Sequence, residues 1–314
     1  MRKVIFNSSN KIRPIWRLIL FLLITFIINI PLQVGLQKIL DQGLLRGYIS
    51  SSIYLISILI SLFIQIKFLD KSSFKKYGLK INKTWVQEFL IGIVISIVLI
   101  SIFFFIMYAT GNLKIVDFFT TNASAYSFDY SFLEGFISQT FSQIVVATVE
   151  EIFNRALLFY IVYEALRKVK KDSTKRAFFS LIVTSLLFGI VHFANDSATI
   201  LSTINLVLWG MVACLPFLIT GRLGMSIGFH FSWNLVQGAF YGFAISGNIA
   251  KASIISVNMP NNLLTGGVFG VEGSMLMLLL CLIGVMLILY WKKLKNYNNF
   301  VNPYIIENDV NQQY

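Results

Sequence analysis

The chain has 314 residues, 56% of them hydrophobic and only 13% charged, with a mean hydropathy of +0.74. A soluble domain is nearer half apolar and a quarter charged, so this composition excludes a soluble globular domain and a disordered chain. The formal net charge of +12 is not the signature of a nucleic-acid binder, because the basic residues fall in short runs between apolar stretches of membrane-spanning length.

A bilayer core takes about 20 apolar residues per helix. Eight stretches of that kind follow one another, at roughly 14–36, 48–69, 85–110, 132–166, 177–194, 200–219, 225–245 and 272–291. They are continuous rather than alternating, which favours helices over barrel strands. The expected fold is therefore all-α, a polytopic membrane protein of about eight transmembrane helices, with 1–314 forming one membrane domain and 292–314 a tail. The first run is long and no small-residue cleavage site follows it, so a cleavable signal peptide is not expected. Pro31 and Pro216 fall inside runs and predict local kinks. Cys214 and Cys281 lie in apolar stretches and read as buried small hydrophobes rather than a disulfide pair. The fourth stretch has 35 residues; as one helix it would extend about 52 Å against roughly 30 Å of hydrocarbon, so it must tilt, protrude or break.

Charge sets the expected orientation. The N-terminal segment, the 67–84 and 167–176 loops, the 221–224 turn and the tail together hold 21 Lys and Arg. The alternate loops hold four, Lys38, Arg46, Lys114 and Lys251, and Arg155 lies within a helix. This asymmetry puts both termini in the cytoplasm and turns the loops 111–131 and 246–271 outward. Trp16, Trp85 and Trp291 fall at the expected cytoplasmic boundaries, where an aromatic belt would place them. An excess of Ile, Asn and Lys points to an AT-rich bacterial genome, hence a bacterial plasma membrane as the expected location.

Ionisable groups deep in a membrane are costly and mark function. Glu88, Glu134, Glu164 and Glu272 sit near expected helix ends, where they can reach water. Glu150, Glu151 and Arg155 do not, and both histidines of the chain, His192 and His230, are also inside expected helices. Glu151 and Arg155 are four residues apart, so they share a helix face and can pair; Glu150 points about 100° away and is free to face a cavity. Phe188 stands one turn from His192, and His230 one turn from Asn234. A carboxylate in a low-dielectric site can act as a general base toward water near neutral pH. An imidazole can orient that water, and an imidazole with a carboxamide can donate to a developing oxyanion. The set suits amide hydrolysis. Alternatively Glu150, His192 and His230 could bind Zn²⁺ and leave a position open for water. Taken singly, each piece also has a structural reading: a Glu–Arg clamp, histidines and an Asn as helix–helix hydrogen-bonding glue, and Phe188 as packing.

The three pieces, Glu150-Glu151-x-x-x-Arg155, Phe188-x-x-x-His192 and His230-x-x-x-Asn234, resemble the three motifs of the CAAX-protease and bacteriocin-processing family of intramembrane proteases. The approach Gly221-Arg222-Leu223-Gly224-Met225-Ser226 is similar to the family's as well, and the resemblance covers about 130–245. It implies an eight-helix fold with a catalytic cavity inside the membrane. It also implies that Glu150 activates water with His192 assisting, that Glu151 and Arg155 support them, and that His230 and Asn234 hold the oxyanion. Family members have been described both as metalloproteases and as metal-free glutamate enzymes. The expectation here is the glutamate mechanism without a cofactor, acting on a peptide or protein substrate, with Zn²⁺ as the alternative. A non-catalytic scaffold or immunity protein and, further off, a proton-coupled transporter are the competing functions. One geometric demand follows. At 1.5 Å per residue, Glu150 and His192 lie about 22–26 Å from the cytoplasmic ends of their helices, but His230 only about 8 Å from the start of its own. A single site requires the 221–224 turn to sit deep, with Arg222 then lining a hydrophilic cavity, or helix tilts to close the gap.

Overall fold

The computed structural model describes residues 5–6 and 12–306; Arg2, Lys3, Lys11 and the end of the tail beyond 306 lie outside the described residues. Among the described residues, helical runs lie in each of the expected stretches. They are α1 (Pro14–Ile39), α2 (Leu44–Ile64), α3 (Lys83–Ala109), α4 with α5 (Phe132–Glu151, Phe159–Ala165), α6 (Ser173–His192), α7 (Ile200–Thr220), α8 (Gly224–Leu235) and α9 (Met277–Leu294). Among the described residues six are long and apolar enough to cross a membrane: α1, α2 with the turn that continues it to Leu69, α3, α6, α7 and α9. The two runs that fall short, α4–α5 and α8, are the ones that carry the Glu150-Glu151 and His230-Asn234 motifs. The chain is a polytopic helical membrane protein, and its polar helices sit among apolar ones.

Local sequence explains where the helices start and stop. The Asn82 side chain accepts from the Trp85 amide at 2.9 Å and opens α3. Ser131 and Glu134 form a reciprocal capping box at the start of α4. Asp172 accepts from the amides of Thr174 and Lys175 at the start of α6, and Thr199 with Ser202 caps α7. Each arrangement satisfies amides that a helix N-terminus leaves unpaired. Gly221, at φ +66°, ends α7 in the left-handed conformation that a side chain would resist. Pro31 and Pro216 both lie inside helices that run on through them.

The overlong fourth stretch is interrupted. Residues Ile152–Leu158 form a π-helical segment between α4 and α5. A second π-helical turn, Val236–Phe240, directly follows α8. Wide turns of this kind are rare and collect at functional sites; of the three among the described residues these two adjoin motif residues, and the third, Gln65–Leu69, continues α2 away from them.

The loops 111–131 and 246–271 are not plain loops. β1 (Lys114–Thr121) pairs antiparallel with β2 (Ala252–Asn258), with a register irregularity between Ile115 and Asp117. This ribbon joins the two long connections on one side of the helical body.

Two apolar clusters make the core. One gathers α3, α7, α8 and α9 around Phe103, Trp209, Phe229 and Trp233. The other gathers α1, α2, α4–α5 and α6 around Phe21, Leu62, Phe159 and Phe217. They meet along α7 and α8. Trp209 and Val212 of α7 belong to the first cluster and Cys214, Phe217 and Leu218 to the second; on α8, Phe229 belongs to the first and Ile227 to the second. His230 sits at that seam.

Candidate active site

The residues of α8 reach the seam because its backbone lies directly on α3. A Cβ added at Gly228 would stand 2.0 Å from the Phe89 carbonyl oxygen, one at Gly224 2.3 Å from that of Trp85, and one at Gly92 2.3 Å from that of Met225. No side chain fits there, so glycines four apart on α8 let the helices touch. Ser96 Oγ then donates to the Phe229 carbonyl at 2.6 Å, one residue before His230.

The 221–224 turn is covered by other segments of the chain rather than left bare. Leu223 donates its amide to Gly78 O at 3.1 Å and Asn302 donates to Leu218 O at 2.8 Å. The 70–82 loop and the tail thus lie against the turn, and Leu223 is fully buried. Arg222 does not line the cavity as expected. It forms an ion pair with Glu88, its Nε at 2.8 Å from Oε2, and its Nη2 also donates to Tyr297 Oη at 2.8 Å. Glu88 is correspondingly buried rather than reaching water, and Glu164 is tied to Arg17 and Lys76. Partnering explains why these charges tolerate their positions.

The three motifs converge. Glu151 is fully buried and its Oε1 lies 3.0 Å from Arg155 Nη1, the pairing that their spacing predicts. The same oxygen lies 2.9 Å from His230 Nδ1. Arg155 also donates from Nη2 to Gly210 O of α7 at 3.1 Å, and its guanidinium stands 5.1 Å from the Phe188 ring centroid. The other face of the site belongs to Glu150. Its side chain keeps 31% of its surface, and its Oε2 lies 3.8 Å from His230 Nε2, beyond a hydrogen bond. Among the described residues that oxygen has no hydrogen-bond partner. His192 turns Nδ1 to Phe188 O at 2.7 Å and packs its ring 4.4 Å from that of Phe188. Asn234 donates from Nδ2 to Gln143 Oε1 at 3.0 Å.

A cavity of about 650 Å³ connects these groups. Glu150, His192, His230 and Asn234 line it, together with Gln143 and Trp209. Glu151 and Arg155 stand behind the wall and do not. The division into cavity-facing and buried members of the Glu-Glu pair is the one the 100° helical offset implies. Phe188 packs at the centre of this group: it touches His192, stacks on Trp209 at 5.4 Å and lies under Arg155.

Sequence reasoning missed four contributors. Glu272, placed near a water-accessible helix end, is instead buried in a 3₁₀ turn before α9; it accepts from Trp233 Nε1 and Gln237 Nε2, each at 2.8 Å, and lines the cavity. A deep carboxylate therefore also lies outside the three motifs. Gln143 lies two turns before Glu150 on α4, a spacing that could have flagged it. Asn154 donates to the Glu150 carbonyl at 3.2 Å. Trp209 packs its ring 4.6 Å from that of His230.

For a metal, the donor chemistry and the placement disagree. Both imidazoles direct Nδ1 to an oxygen, leaving Nε2 as the atom that could meet an ion. Among the described residues, however, no three His, Cys, Asp or Glu side chains are grouped to hold one, so Glu150, His192 and His230 do not assemble as a metal triad.

These features define a class: a multi-pass helical membrane protein with a polar cavity walled by a carboxylate pair, two imidazoles and a carboxamide from separate helices. Residues 132–236 match the family model described as type II CAAX prenyl endopeptidase Rce1-like. That segment, about a third of the chain, contains all three motifs, and over it the chain is similar to that family. Neither a curated protein nor a solved structure matched the chain.

Proposed function

We propose that the chain is an intramembrane endopeptidase that hydrolyses a peptide bond with water activated by Glu150. The observation that carries this reading is the cavity itself: four motif side chains from three helices line it, with Glu150 Oε2 3.8 Å from His230 Nε2. That gap is one a water molecule can bridge. Glu150 takes a proton from water as the water oxygen attacks the carbonyl carbon. It returns that proton to the leaving nitrogen when the C–N bond breaks, which regenerates the carboxylate. His192, with Nδ1 committed to Phe188 O, has Nε2 free to orient the water. Asn234 spends one N–H on Gln143 and keeps the other for the oxyanion, an interaction typically worth about 3 kcal/mol. His230 gives Nδ1–H to Glu151; to donate from Nε2 as well, its ring must carry both protons. Glu151 and Arg155 fix that ring without touching the substrate.

The substrate is read as a peptide or protein processed at the bilayer of a bacterial plasma membrane, with self-immunity against bacteriocins as one such use. Glu150→Gln and His192→Ala are expected to abolish peptide cleavage at unchanged membrane levels. Cleavage at the wild-type rate in either variant would overturn the assignment, and a parallel loss of abundance and function would favour the non-catalytic scaffold. The preferred mechanism uses no cofactor. Metal analysis of the purified protein, paired with cleavage after chelation, separates it from the Zn²⁺ alternative.

A further inference from the structure

Beside the catalytic cavity lies a second cleft of about 440 Å³, lined by Gln42, Arg46, Ser50 and the 125–128 turn, with Tyr126 and Lys251. Tyr126 and Lys251 line the catalytic cavity too, so the two spaces adjoin across this pair. Arg46 and Lys251 are two of the only four Lys and Arg in the loops on this side of the chain. Among the described residues neither forms an ion pair. Arg46 Nη1 reaches only the Leu40 carbonyl, at 3.4 Å, and the Lys251 ammonium stands 5.3 Å from the Tyr126 ring centroid.

Lys251 is also held in place. Its amide donates to Gln139 Oε1 of α4 at 3.3 Å, and its carbonyl accepts from the Asn122 amide and from Tyr130 Oη, each at 2.9 Å. The side chain therefore starts from a backbone stapled to the helix that carries Glu150. Burial pushes the ammonium below the usual lysine range, a cost that an anionic partner offsets.

We propose that Lys251 and Arg46 form a subsite for a carboxylate of the peptide substrate, set where the cleft joins the catalytic cavity. The carboxylate can be an acidic side chain or the chain terminus, since both present the same two oxygens to a cation. A peptide rather than a lipid headgroup is favoured because Lys251 faces the chamber in which the bond would be cut. The inference rests on the endopeptidase reading for its substrate.

The test uses the full chain carrying Glu150→Gln in nanodiscs of zwitterionic lipid, and reads binding of three fluorescent peptides by anisotropy. One has an internal Glu and an amidated end, one has Gln there and a free terminus, and one is neutral at both. At least one carboxylate peptide is expected to bind about fivefold more tightly than the neutral one, and which one does so identifies the source. The preference should collapse in Lys251→Gln and in Arg46→Gln and persist in Lys251→Arg. Equal binding of all three peptides, or a preference that survives both neutral substitutions, would overturn the subsite. So would a preference lost on adding anionic lipid, which would make a headgroup the occupant. Cleavage by the wild-type chain is followed separately: absence of cleavage with the binding preference intact removes the endopeptidase reading and leaves the subsite standing.

Discussion

Glu151 occupies the point on which the other charges depend, since a single oxygen of it meets both Arg155 and His230. Removing one partner of a buried pair strands the other charge, typically at about 3–5 kcal/mol, whereas removing both can be nearly neutral. Arg155→Met alone is therefore expected to lower the thermal stability of the purified protein sharply. Adding Glu151→Leu should restore much of that loss while cleavage stays absent, because His230 then loses its anchor. Melting both variants and the wild type in one detergent decides the matter: if the double variant is no more stable than the single, the pair is not the clamp described here. A related expectation concerns Trp233→Phe, which keeps an aromatic side chain but leaves buried Glu272 without one of its two side-chain donors. It should cost about 1–3 kcal/mol, read from the same melts. The Glu-Glu-Arg geometry was legible in the sequence, because spacing on one helix determines which side chains share a face. Glu272 was not, since its burial depends on a 3₁₀ turn folding back over α8, and nothing in the neighbouring residues signals that contact.

At the scale of elements, the placement of α8 against α3 decides whether His230 reaches Glu151 at all. The backbone of α8 approaches Phe89 O so closely that a Cβ at Gly228 needs a shift. Gly228→Leu should displace α8 and lose cleavage, and Gly228→Ala should destabilise by about 1–3 kcal/mol, the usual range for overpacking. Thermal melts with a cleavage assay on each variant test both effects, and a fully active Gly228→Leu protein would refute the close approach. The π-helical segment after Glu151 makes an equally specific demand. Deleting Phe153 would let Ile152–Leu158 close into an ordinary helix and swing Arg155 by about 100° relative to Glu151. Such a protein is expected to reach the membrane but show no cleavage, as measured by fractionation and peptide assay. The helical runs themselves could be read from apolar continuity. The interruption of the fourth could be read only as a necessity of length, because its location depends on which residues must face the cavity. The ribbon of β1 and β2 escaped notice for a different reason. Its strands lie 131 residues apart where Thr121 meets Ala252, and a pairing over that distance leaves no local periodicity.

For the whole molecule, the open matter is which face of the membrane supplies the substrate, and the charge pattern together with the cavity walls gives an answer that can be checked. The cavity is lined at one end by Ser246, Asn248 and Lys251 and by the outer end of α6 at His192 and Asn195. These belong to the side with four basic residues, opposite the side with 21. If the positive-inside rule governs this chain, that end is expected to face away from the cytoplasm, and peptides would then be drawn from outside the cell. Cysteine labelling can establish this, because Cys214 and Cys281 are both buried and contribute little background. Asn261→Cys, in the exposed outward connection, should react with a membrane-impermeant maleimide on intact cells. Lys80→Cys, in the 67–84 loop, should react only after the cells are broken. The reverse pattern would invert the molecule and make the cytoplasm the source of substrate, and it would do so without disturbing the geometry of Glu150, His192 and His230. The side of access and the chemistry of the site are thus separable properties of this fold: the first is set by loop charge, the second by helix packing.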